Sequence, residues 1–438
     1  MGIGFYVVMA AQFFSALADN ALLICAIALL QQLKAPPEYA PLLKTSFTLS
    51  YVVLAAFVGA FADSMPKWRV MFISNTIKIV GCGLMLFEVH PLIAYAVVGL
   101  GAAAYSPAKY GILTEMLPPS KLVTANGWIE GLTVGAIILG SLLGGLLILP
   151  AFGNWVLAFD LPVIHNKEQV ALLTVGLLYV IAAILNRYVP DTGVASKPLK
   201  NNPLYLIKEF GHCVNLLWRD RLGQISLAVT TLFWGAGATI QFIVIDWADQ
   251  KLGLGLSQST QLQGVVAVGV AIGAIVAARM LSLRQSMKVV PIGIAMGLIV
   301  PIMVLMPYMP QIELHEPIKI AGMALQMDVR MLSIMVLMVL VGGLSGFFVV
   351  PMNALLQHRG HVLMGAGHSI AVQNFNENLS ILMMTWLYSV LVGSGLSINV
   401  VIVMFGLFVA GCMYLVKLRH LRNQAEHDDL ALLEEHKH

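Results

Sequence analysis

The feature that most constrains this chain is a series of twelve apolar runs, each long enough to cross a membrane. The 438 residues are 59% hydrophobic and only 11% charged, and the mean hydropathy is +0.85. A helix needs roughly 20 apolar residues to cross the hydrocarbon core, and only helices or closed barrels satisfy the backbone there. The sequence therefore predicts an all-α integral membrane protein with twelve transmembrane helices, near residues 5–33, 45–64, 69–89, 91–113, 122–151, 170–189, 223–248, 261–283, 288–309, 329–357, 362–393 and 397–418.

The Lys and Arg residues between the runs predict the orientation in the membrane. If the N-terminus is cytoplasmic, 17 of the 25 Lys and Arg residues fall in cytoplasmic segments and 6 in external segments. Because cytoplasmic loops carry an excess of these residues, we expect both termini to be cytoplasmic. This topology accounts for the net charge of +3 without a nucleic-acid partner. No small-residue cleavage site follows the first run, so we expect a retained helix there.

A polar segment near the middle of the chain separates the runs into two groups of six. We expect an N-terminal six-helix bundle, a cytoplasmic linker, a C-terminal six-helix bundle and a cytoplasmic tail, at residues 1–189, 190–221, 222–418 and 419–438. Apolar residues recur at helical spacing in the linker and predict an amphipathic helix on the inner membrane surface, with a face of Leu204, Ile207, Phe210, Val214 and Leu217. A solvated linker helix is the alternative interpretation.

The two halves share a polar pattern that indicates pseudo-symmetry. Pro107-Ala-Lys109 in the fourth run matches Pro351-Met-Asn353 in the tenth, at an offset of 244 residues. The fifth and eleventh runs carry an amide four residues before Glu130 and Glu377, at an offset of 247 residues. Matching polar positions in two halves predict a binding site at the repeat interface near the middle of the bilayer. A chance match in so biased a composition is the alternative.

Charged side chains inside the apolar runs are the strongest indication of a functional site. A charge at the centre of a bilayer costs at least about 2.5–3.5 kcal/mol on insertion scales, and such residues commonly line a polar route. The charged residues are Asp19, Lys78, Lys109, Glu130 and Glu377, and Asn20 adjoins the first. We expect them to line a polar path through the membrane.

Lys109 and Asp19 have the most defined expected roles. Pro107 kinks its helix and can turn the Lys109 ammonium into a cavity, where it could bind a phosphate as a point charge. A lysine that extends to the inner interface is the alternative. Asp19 needs a partner, and Lys109, Lys78, a proton or a cationic ligand group are the candidates. An interhelical structural lock is the alternative for Asp19.

Amide side chains accompany the two glutamates of the fifth and eleventh runs. Such a density of amides on a membrane helix predicts a wet wall, because buried unpaired amides are costly. The amides are Asn126, Gln373, Asn374, Asn376 and Asn378. A structural salt bridge is the alternative role for Glu130 and Glu377.

The loop between the second and third runs contains a candidate gate. Gly59, Asp63, Lys67 and Arg69 form a Gly-x3-Asp pattern followed by basic residues. This pattern resembles the loop signature of the major facilitator superfamily, in which we expect these residues to open and close a clamp. The usual second glycine is replaced around Pro66, and the corresponding loop of the second half lacks the aspartate. An ordinary topology-determining loop is the alternative.

No sequence signature indicates an enzyme. The chain has no His-x4-Asp acyltransferase motif, no HExxH, no GxSxG and no P-loop. The four cysteines are scattered without metal-ligand spacing, so we expect no disulfide, no metal and no cofactor.

Longer stretches of the chain resemble one subfamily, the bacterial lysophospholipid transporters of the major facilitator superfamily. The resemblance covers nearly the whole chain and is carried by residues 12–22, 101–113, 233–237, 346–357 and 371–378. It implies two pseudo-symmetric six-helix bundles around a central cavity. It also implies movement of lysophosphatidylethanolamine and other lysolipids from the outer to the inner leaflet of the bacterial inner membrane. A cytoplasmic-side acyltransferase/acyl-carrier-protein synthetase would then re-acylate the lipid.

The resemblance suggests roles for the cavity residues. Lys109 would hold the phosphate, Asp19 and Glu377 (or Glu130) would face the ammonium, and Asn20, Asn353, Gln373 and Asn374 complete the predicted substrate site. Some members of the subfamily carry an arginine in the seventh span where this chain has Gln241. We therefore expect Asp19 to pair with Lys109 or to await the ligand amine.

Two rival functions remain open on the sequence alone, for a chain that we expect to be a monomer. A proton-coupled exporter of cationic or amphipathic drugs would have the same fold, with Asp19, Glu130 and Glu377 as titrating groups. A membrane-bound lipid acyltransferase is the rival of another class, and the missing catalytic signatures weigh against it.

Overall fold

A computed structural model of the protein describes residues 1–35, 39–149, 166–200, 202–254, 256–312, 318–320, 323–325 and 328–426. Fourteen α-helices make up most of the described chain. They are α1 Ile3–Gln32, α2 Tyr39–Val53, α3 Ala55–Asp63, α4 Lys67–Leu86, α5 Pro91–Met116, α6 Pro119–Leu147, α7 Lys167–Arg187, α8 Pro203–Arg219, α9 Arg221–Leu252, α10 Leu256–Met280, α11 Val290–Ile299, α12 Val329–Met364, α13 Ala366–Gly393 and α14 Ile398–Glu426.

The helices correspond to the twelve predicted apolar runs. In the described part of the chain, ten helical segments are long and apolar enough to cross a membrane. One of them joins α11 to its flanking 3-10 turns over Leu283–Tyr308. The pair α2 and α3, bent by 63°, makes eleven if it is counted as one span. Helix α13, with 28 residues and a polar stretch at 373–378, falls in the eleventh predicted run and is not among these candidate spans.

Two local features add detail to the sequence-based expectation, in which the tail was a short cytoplasmic helix or disordered. A short antiparallel strand pair, β1 Ile318–Ile320 and β2 Met323–Leu325, follows the ninth span. Helix α14 continues to Glu426, because no glycine or proline interrupts the polar residues after the twelfth run. The predicted tail is therefore helical over 419–426, and residues 427–438 lie outside the described residues.

The chain forms two compact units. Unit 1 contains Met1–Ala125, Leu132–Leu227 and Leu356–Leu379, and unit 2 contains Asn126–Gly131, Ala228–Leu355 and Ser380–His438. Helices α6, α9, α12 and α13 each contribute residues to both units. The division into six-helix bundles at 1–189 and 222–418 stays a prediction.

Each unit has its own apolar core. In unit 1, α1, α4, α5 and α7 enclose a cluster that includes Leu22, Met85 and Val175. In unit 2, α9, α12 and α14 enclose a cluster around the fully buried Trp247 and Ile334. Because protein interiors are closely packed, both clusters provide rigid walls on which polar side chains can be held in place.

The linker contains the amphipathic helix α8, which belongs to unit 1. Asn202 caps its first turn by accepting hydrogen bonds from the backbone N–H groups of Leu204 and Tyr205. Its buried side, at Cys213 and Leu217, packs on Leu356, Met364 and Val372. Burial raises the pKa of the Cys213 thiol to about 11, so this thiol stays protonated at neutral pH.

The predicted membrane face of α8 divides between two environments. Leu217 is buried and Phe210 and Val214 are half-buried, whereas Leu204 and Ile207 remain exposed. Part of the apolar face is therefore used to hold the helix against unit 1, and the remainder is left on its outer side.

In unit 2, α10 and α12 cross at a contact that only glycine permits. A Cβ atom on Gly273 would collide with the backbone of Gly343, and one on Gly346 would collide with the carbonyl oxygen of Val270. Small residues allow such close backbone approach in membranes, where packing replaces the hydrophobic effect.

We expect Gly273→Ala to destabilise the protein because the added methyl group must push two helix backbones apart. Overpacking of this kind typically costs about 1–3 kcal/mol. Gly264→Ala on the same helix is the matched control, since a Cβ atom there meets nothing within 4 Å. Thermal unfolding in detergent measures both, and equal midpoints for the two variants would contradict the crossing.

Candidate functional site

A small polar pocket of about 50 Å³ lies among the helices of unit 1. Its lining comes from four elements: Gln12, Ser15, Ala16 and Asp19 of α1, Tyr51 of α2, Lys78 of α4, and Ala102, Tyr105, Ser106 and Lys109 of α5. Of the five charged residues expected to line one polar path, Asp19, Lys78 and Lys109 line this pocket, and Glu130 and Glu377 are not among its lining residues.

The centre of this site is an ion pair between Lys78 and Asp19. The Lys78 ammonium donates to Asp19 Oδ2 at 2.8 Å and to Ser15 Oγ at 3.0 Å. The Tyr179 hydroxyl donates to the other carboxylate oxygen at 2.8 Å. The Lys78 side chain is only 2% exposed, whereas that of Asp19 is 20% exposed. Asp19 is therefore the more accessible member of the pair, and Lys78 is the buried member.

Neighbouring residues fix the position of the buried lysine. The Ser15 hydroxyl donates to Asn75 Oδ1 at 2.8 Å, one helical turn before Lys78. The ammonium also lies over the Tyr105 ring, 5.1 Å from its centroid, within the range at which a cation is attracted to an aromatic face. A Cβ atom on Gly101 would lie 2.7 Å from Lys78 Cγ. Glycine at that position of α5 thus makes room for the lysine stem.

This pair corrects the expected partner of Asp19. Lys78 was one of four candidate partners, and Lys109 or a ligand amine was favoured over it. Both carboxylate oxygens of Asp19 are instead engaged by Lys78 and Tyr179. The physical reason is proximity inside unit 1: α4 and α7 pack directly beside α1 and carry the two donors.

Lys109 and Asn20 occupy different positions relative to the pocket. Lys109, two residues after the in-helix Pro107, is half-buried and lies 4.2 Å from the centroid of the Tyr110 ring. Asn20 is half-buried, donates to the carbonyl of Ala16 in its own helix at 2.8 Å, and does not belong to the pocket lining.

Helix α13 brings its amides to the edge of the pocket. Asn374 Nδ2 donates to Ser106 Oγ at 2.9 Å, and Ser106 is a lining residue. Gln373 Nε2 donates to Glu377 Oε1 at 2.8 Å, and both side chains are buried. Because residues three and four apart share a helix face, Glu377 lies on the same side of α13 as Asn374.

The remaining two predicted site residues belong to unit 2. Asn353 Nδ2 donates to Glu130 Oε1 at 3.3 Å, and both residues are buried. This contact joins one residue from each of the two internal matches, which paired Lys109 with Asn353 and Glu130 with Glu377.

A second polar cluster surrounds Asp63 at the end of α3. The carboxylate accepts from the Lys67 ammonium at 2.8 Å and from the backbone N–H groups of Gly367 and His368 at 2.8 and 3.1 Å. His368 Nδ1 lies 2.7 Å from the second carboxylate oxygen. Asp63 therefore caps the N-terminus of α13, where backbone N–H groups and the helix dipole favour a negative charge.

The geometry explains the Gly-x3-Asp pattern. A Cβ atom on Gly59 would lie 2.9 Å from Ala371 Cβ and 3.1 Å from His368 Cα. Glycine, one turn before Asp63, thus lets α3 approach α13 closely enough for the cap to form.

The basic residues of the gate loop separate in the structure. Lys67 also donates to the Ala62 carbonyl at 2.8 Å and lies 3.3 Å from Glu115. Arg69 is exposed, 5.2 Å from the Trp68 ring centroid, and lies outside the cluster around Asp63. His368 and Glu115 were not predicted as site residues. Each is an ionisable side chain near one end of an apolar run, and that position could have indicated them.

We expect Lys78→Met to destabilise the protein because it leaves the Asp19 carboxylate without its cation. Breaking a buried pair by removing one partner costs about 3–5 kcal/mol, whereas removing both charges is far less costly. Thermal unfolding in detergent should therefore show a lower midpoint for Lys78→Met and a largely restored midpoint for Asp19→Asn/Lys78→Met. Equal unfolding midpoints for the single and double variants would show that the unpaired Asp19 carboxylate does not destabilise the protein.

Comparisons with known proteins agree with this architecture. Residues 8–385 match the family model of the Major Facilitator Superfamily. The lysophospholipid transporter LplT of Yersinia enterocolitica is 40% identical over 396 residues, which cover 90% of this chain and 89% of that protein. LplT of Yersinia pestis is 40% identical over 389 residues, which cover 89% and 86%.

Solved structures show the same fold at low identity. A bacterial homologue of the iron transporter ferroportin, in an outward-facing state, aligns with a TM-score of 0.68 and 13% identity, covering 97% of this chain and 100% of that one. The fucose:proton symporter FucP of E. coli aligns with a TM-score of 0.67 and 13% identity, covering 95% and 98%. This chain belongs to the Major Facilitator Superfamily and, within it, to the family of the lysophospholipid transporters LplT.

Proposed function

We propose that this protein moves lysophospholipids, including lysophosphatidylethanolamine, from the outer to the inner leaflet of a bacterial inner membrane. The observation that carries the proposal is the charged pocket of unit 1, in a chain 40% identical to proteins named lysophospholipid transporters. A zwitterionic head group needs polar walls inside the bilayer, and this pocket supplies them among apolar helices. The family is one of transporters, and the protein is not an enzyme.

The charges of the pocket suggest how the head group is bound. In this proposal the Lys109 ammonium binds the phosphate, as a point charge with three donors. Asp19 is already neutralised by Lys78, so the ammonium of the substrate is assigned to Glu377 rather than to Asp19. Asn374 and Gln373, on the same face of α13, contact glycerol or phosphate oxygens.

The other predicted residues have supporting positions in the same proposal. Glu130 and Asn353 form a polar pair of unit 2, which is a second candidate for the substrate ammonium. Asn20 adjoins Asp19 and contacts the head group once its helix bond to Ala16 is exchanged.

Transport by alternating access requires a gate, and the cluster around Asp63 supports one. The backbone N–H groups of Gly367 and His368 and the His368 ring hold Asp63 against the start of α13. Lys67 of α4 donates to the same carboxylate. We assign this end of the molecule to the cytoplasm, together with both chain termini, on the distribution of Lys and Arg. The protein would act as a monomer and deliver lysolipid to an acyltransferase/acyl-carrier-protein synthetase at the inner leaflet.

We expect Lys109→Ala to reduce lysolipid uptake because the phosphate loses its cation. A charge-assisted hydrogen bond contributes about 1.5–3 kcal/mol, so uptake at subsaturating lipid should fall about tenfold or more. Labelled lysophosphatidylethanolamine in proteoliposomes gives the rate. Lys121→Ala removes an exposed lysine at the start of α6 and is the matched control. Unchanged uptake with normal folding would reject the phosphate role.

The same proteoliposomes separate this function from proton-coupled drug export. A lysolipid transporter should move labelled lysolipid with or without an imposed pH gradient at a rate above that of empty liposomes. Efflux of a cationic dye that requires the gradient, with no movement of lysolipid, would instead favour the exporter.

A further inference from the structure

The segment that leads from α7 to α8 makes specific contacts with three helix ends of unit 1. The Thr192 hydroxyl donates to Glu115 Oε2 at 2.7 Å, and Glu115 is the penultimate residue of α5. The Lys197 backbone N–H donates to the carbonyl oxygen of Asp63 at 2.8 Å, at the end of α3. The Lys197 ammonium donates to the carbonyl oxygen of Met364 at 2.9 Å, at the end of α12. Residues 192–197 are called the strap below.

The contacts of the strap match the chemistry of the helix ends. The last carbonyl groups of a helix lack intrahelical partners and carry negative partial charge, which favours a lysine there. Glu115 shares its carboxylate between Thr192 and Lys67, and its side chain is only 5% exposed. Thr192 thus supplies one of the two partners of this buried carboxylate.

Local turns place the strap at these ends. Gly193 adopts a positive φ of +70°, and its N–H donates to Asp191 Oδ1 at 3.0 Å, which turns the chain beside Thr192. Gly365, between α12 and α13, has a φ of +98°. A Cβ atom on Gly365 would lie 3.2 Å from the Lys197 ammonium. Glycine is therefore favoured at 193 by the backbone turn, and at 365 by both the positive φ and the close approach of Lys197.

The strap lines a cavity that also contains several charged side chains. The cavity has a volume of about 60 Å³, and its lining includes Asp63, Lys67, Glu115, Thr192, Lys197 and His361. Polar groups at such a cavity can exchange their protein partners for water at small cost. Water can therefore replace the hydrogen bonds of the strap when it is released.

We infer that the strap is part of the gate, and that Thr192 and Lys197 are positioning residues that hold α3, α5 and α12 together while this end is closed. The inference rests on the proposed function, because it assigns a task to a gate that opens and closes. The strap acts beside the Asp63 cap: one ties α3 to the start of α13, and the other ties α3 and α5 to the linker.

Chain length supports release of the strap as the controlling event. An extended chain spans at most about 3.3–3.6 Å per residue, so the fifteen residues 188–202 can reach about 50 Å. A free linker of that reach would not restrain the helix ends. Its hydrogen bonds at Thr192 and Lys197, rather than its length, therefore limit opening.

The test measures how fast a thiol reagent reaches the polar pocket of unit 1 from each side of the membrane. All four native cysteines are replaced, and Ser106→Cys, at the pocket wall beside Asn374, serves as the reporter in every variant. A membrane-impermeant maleimide is applied to inside-out and to right-side-out vesicles without added lysolipid. The strap variants are Thr192→Val, Lys197→Met and their combination.

We expect the double variant to alkylate about tenfold faster from the cytoplasmic side, and more slowly from the outside. The magnitude follows from the loss of one hydrogen bond to a charged group and one helix-end charge interaction. The opposite change on the two faces distinguishes release of a gate from general loosening, which would raise both rates. If the double variant does not fold, the two single variants carry the test, with a smaller rise expected for each.

Two control variants show whether the change in reaction rate is specific to the contacts of the strap. Lys200→Met removes a lysine of the same linker that lies 3.8 Å from the Tyr205 ring centroid and contacts no helix end among the hydrogen bonds of the described chain. Lys197→Arg keeps a cation at Met364, and both controls should react like the unmodified strap. Strap variants that react like their controls on both faces would overturn the inference. Absence of lysolipid movement by the native protein would instead overturn the proposed function and leave the access measurement valid.

Discussion

Charged groups inside a membrane-spanning helix remain ionised only where polar partners or water meet them, because hydrocarbon supplies neither. Unit 1 satisfies this constraint by pairing Lys78 with Asp19 and by adding donors from Ser15 and Tyr179 around the pair. The contacts bring α1, α4 and α7 together and leave one edge of Asp19 in the pocket. The arrangement that makes the charges tolerable thus also forms a wall of the candidate site.

The same constraint acts at the predicted cytoplasmic end, with a different outcome. The first N–H groups of α13 need acceptors, and Asp63 on α3 supplies them across a contact that Gly59 keeps close. Such polar contacts can be exchanged for contacts with water, whereas separation of a tightly packed apolar interface exposes apolar surface to water at a cost in free energy. A gate built from caps and ion pairs is therefore suited to repeated opening.

Much of the fold followed from the sequence, since the length and hydropathy of each run are local properties. The bend at Leu54 within the second run did not follow, since it does not change the hydropathy of the run. In the candidate site, Asp19, Lys109 and Glu377 were expected in one chamber, and the first two line the pocket of unit 1 whereas Glu377 does not. Lys78 was one of four candidate partners of Asp19, and sequence alone did not select it, because it lies 59 residues away on another helix. Arg69 was expected in the gate, and in the structure its guanidinium lies 5.2 Å from the Trp68 ring centroid.

The sequence by itself determined that this chain spans a membrane many times, which residues carry charge into the bilayer, and which family it belongs to. Hydropathy, Lys and Arg placement and residue identity need no three-dimensional information. The tertiary structure alone decided which charges meet: Lys78 with Asp19, His368 with Asp63, and Thr192 with Glu115. The physical reason is that an ion pair depends on distances of about 3 Å between atoms of different helices, and helix packing, rather than sequence spacing, sets those distances.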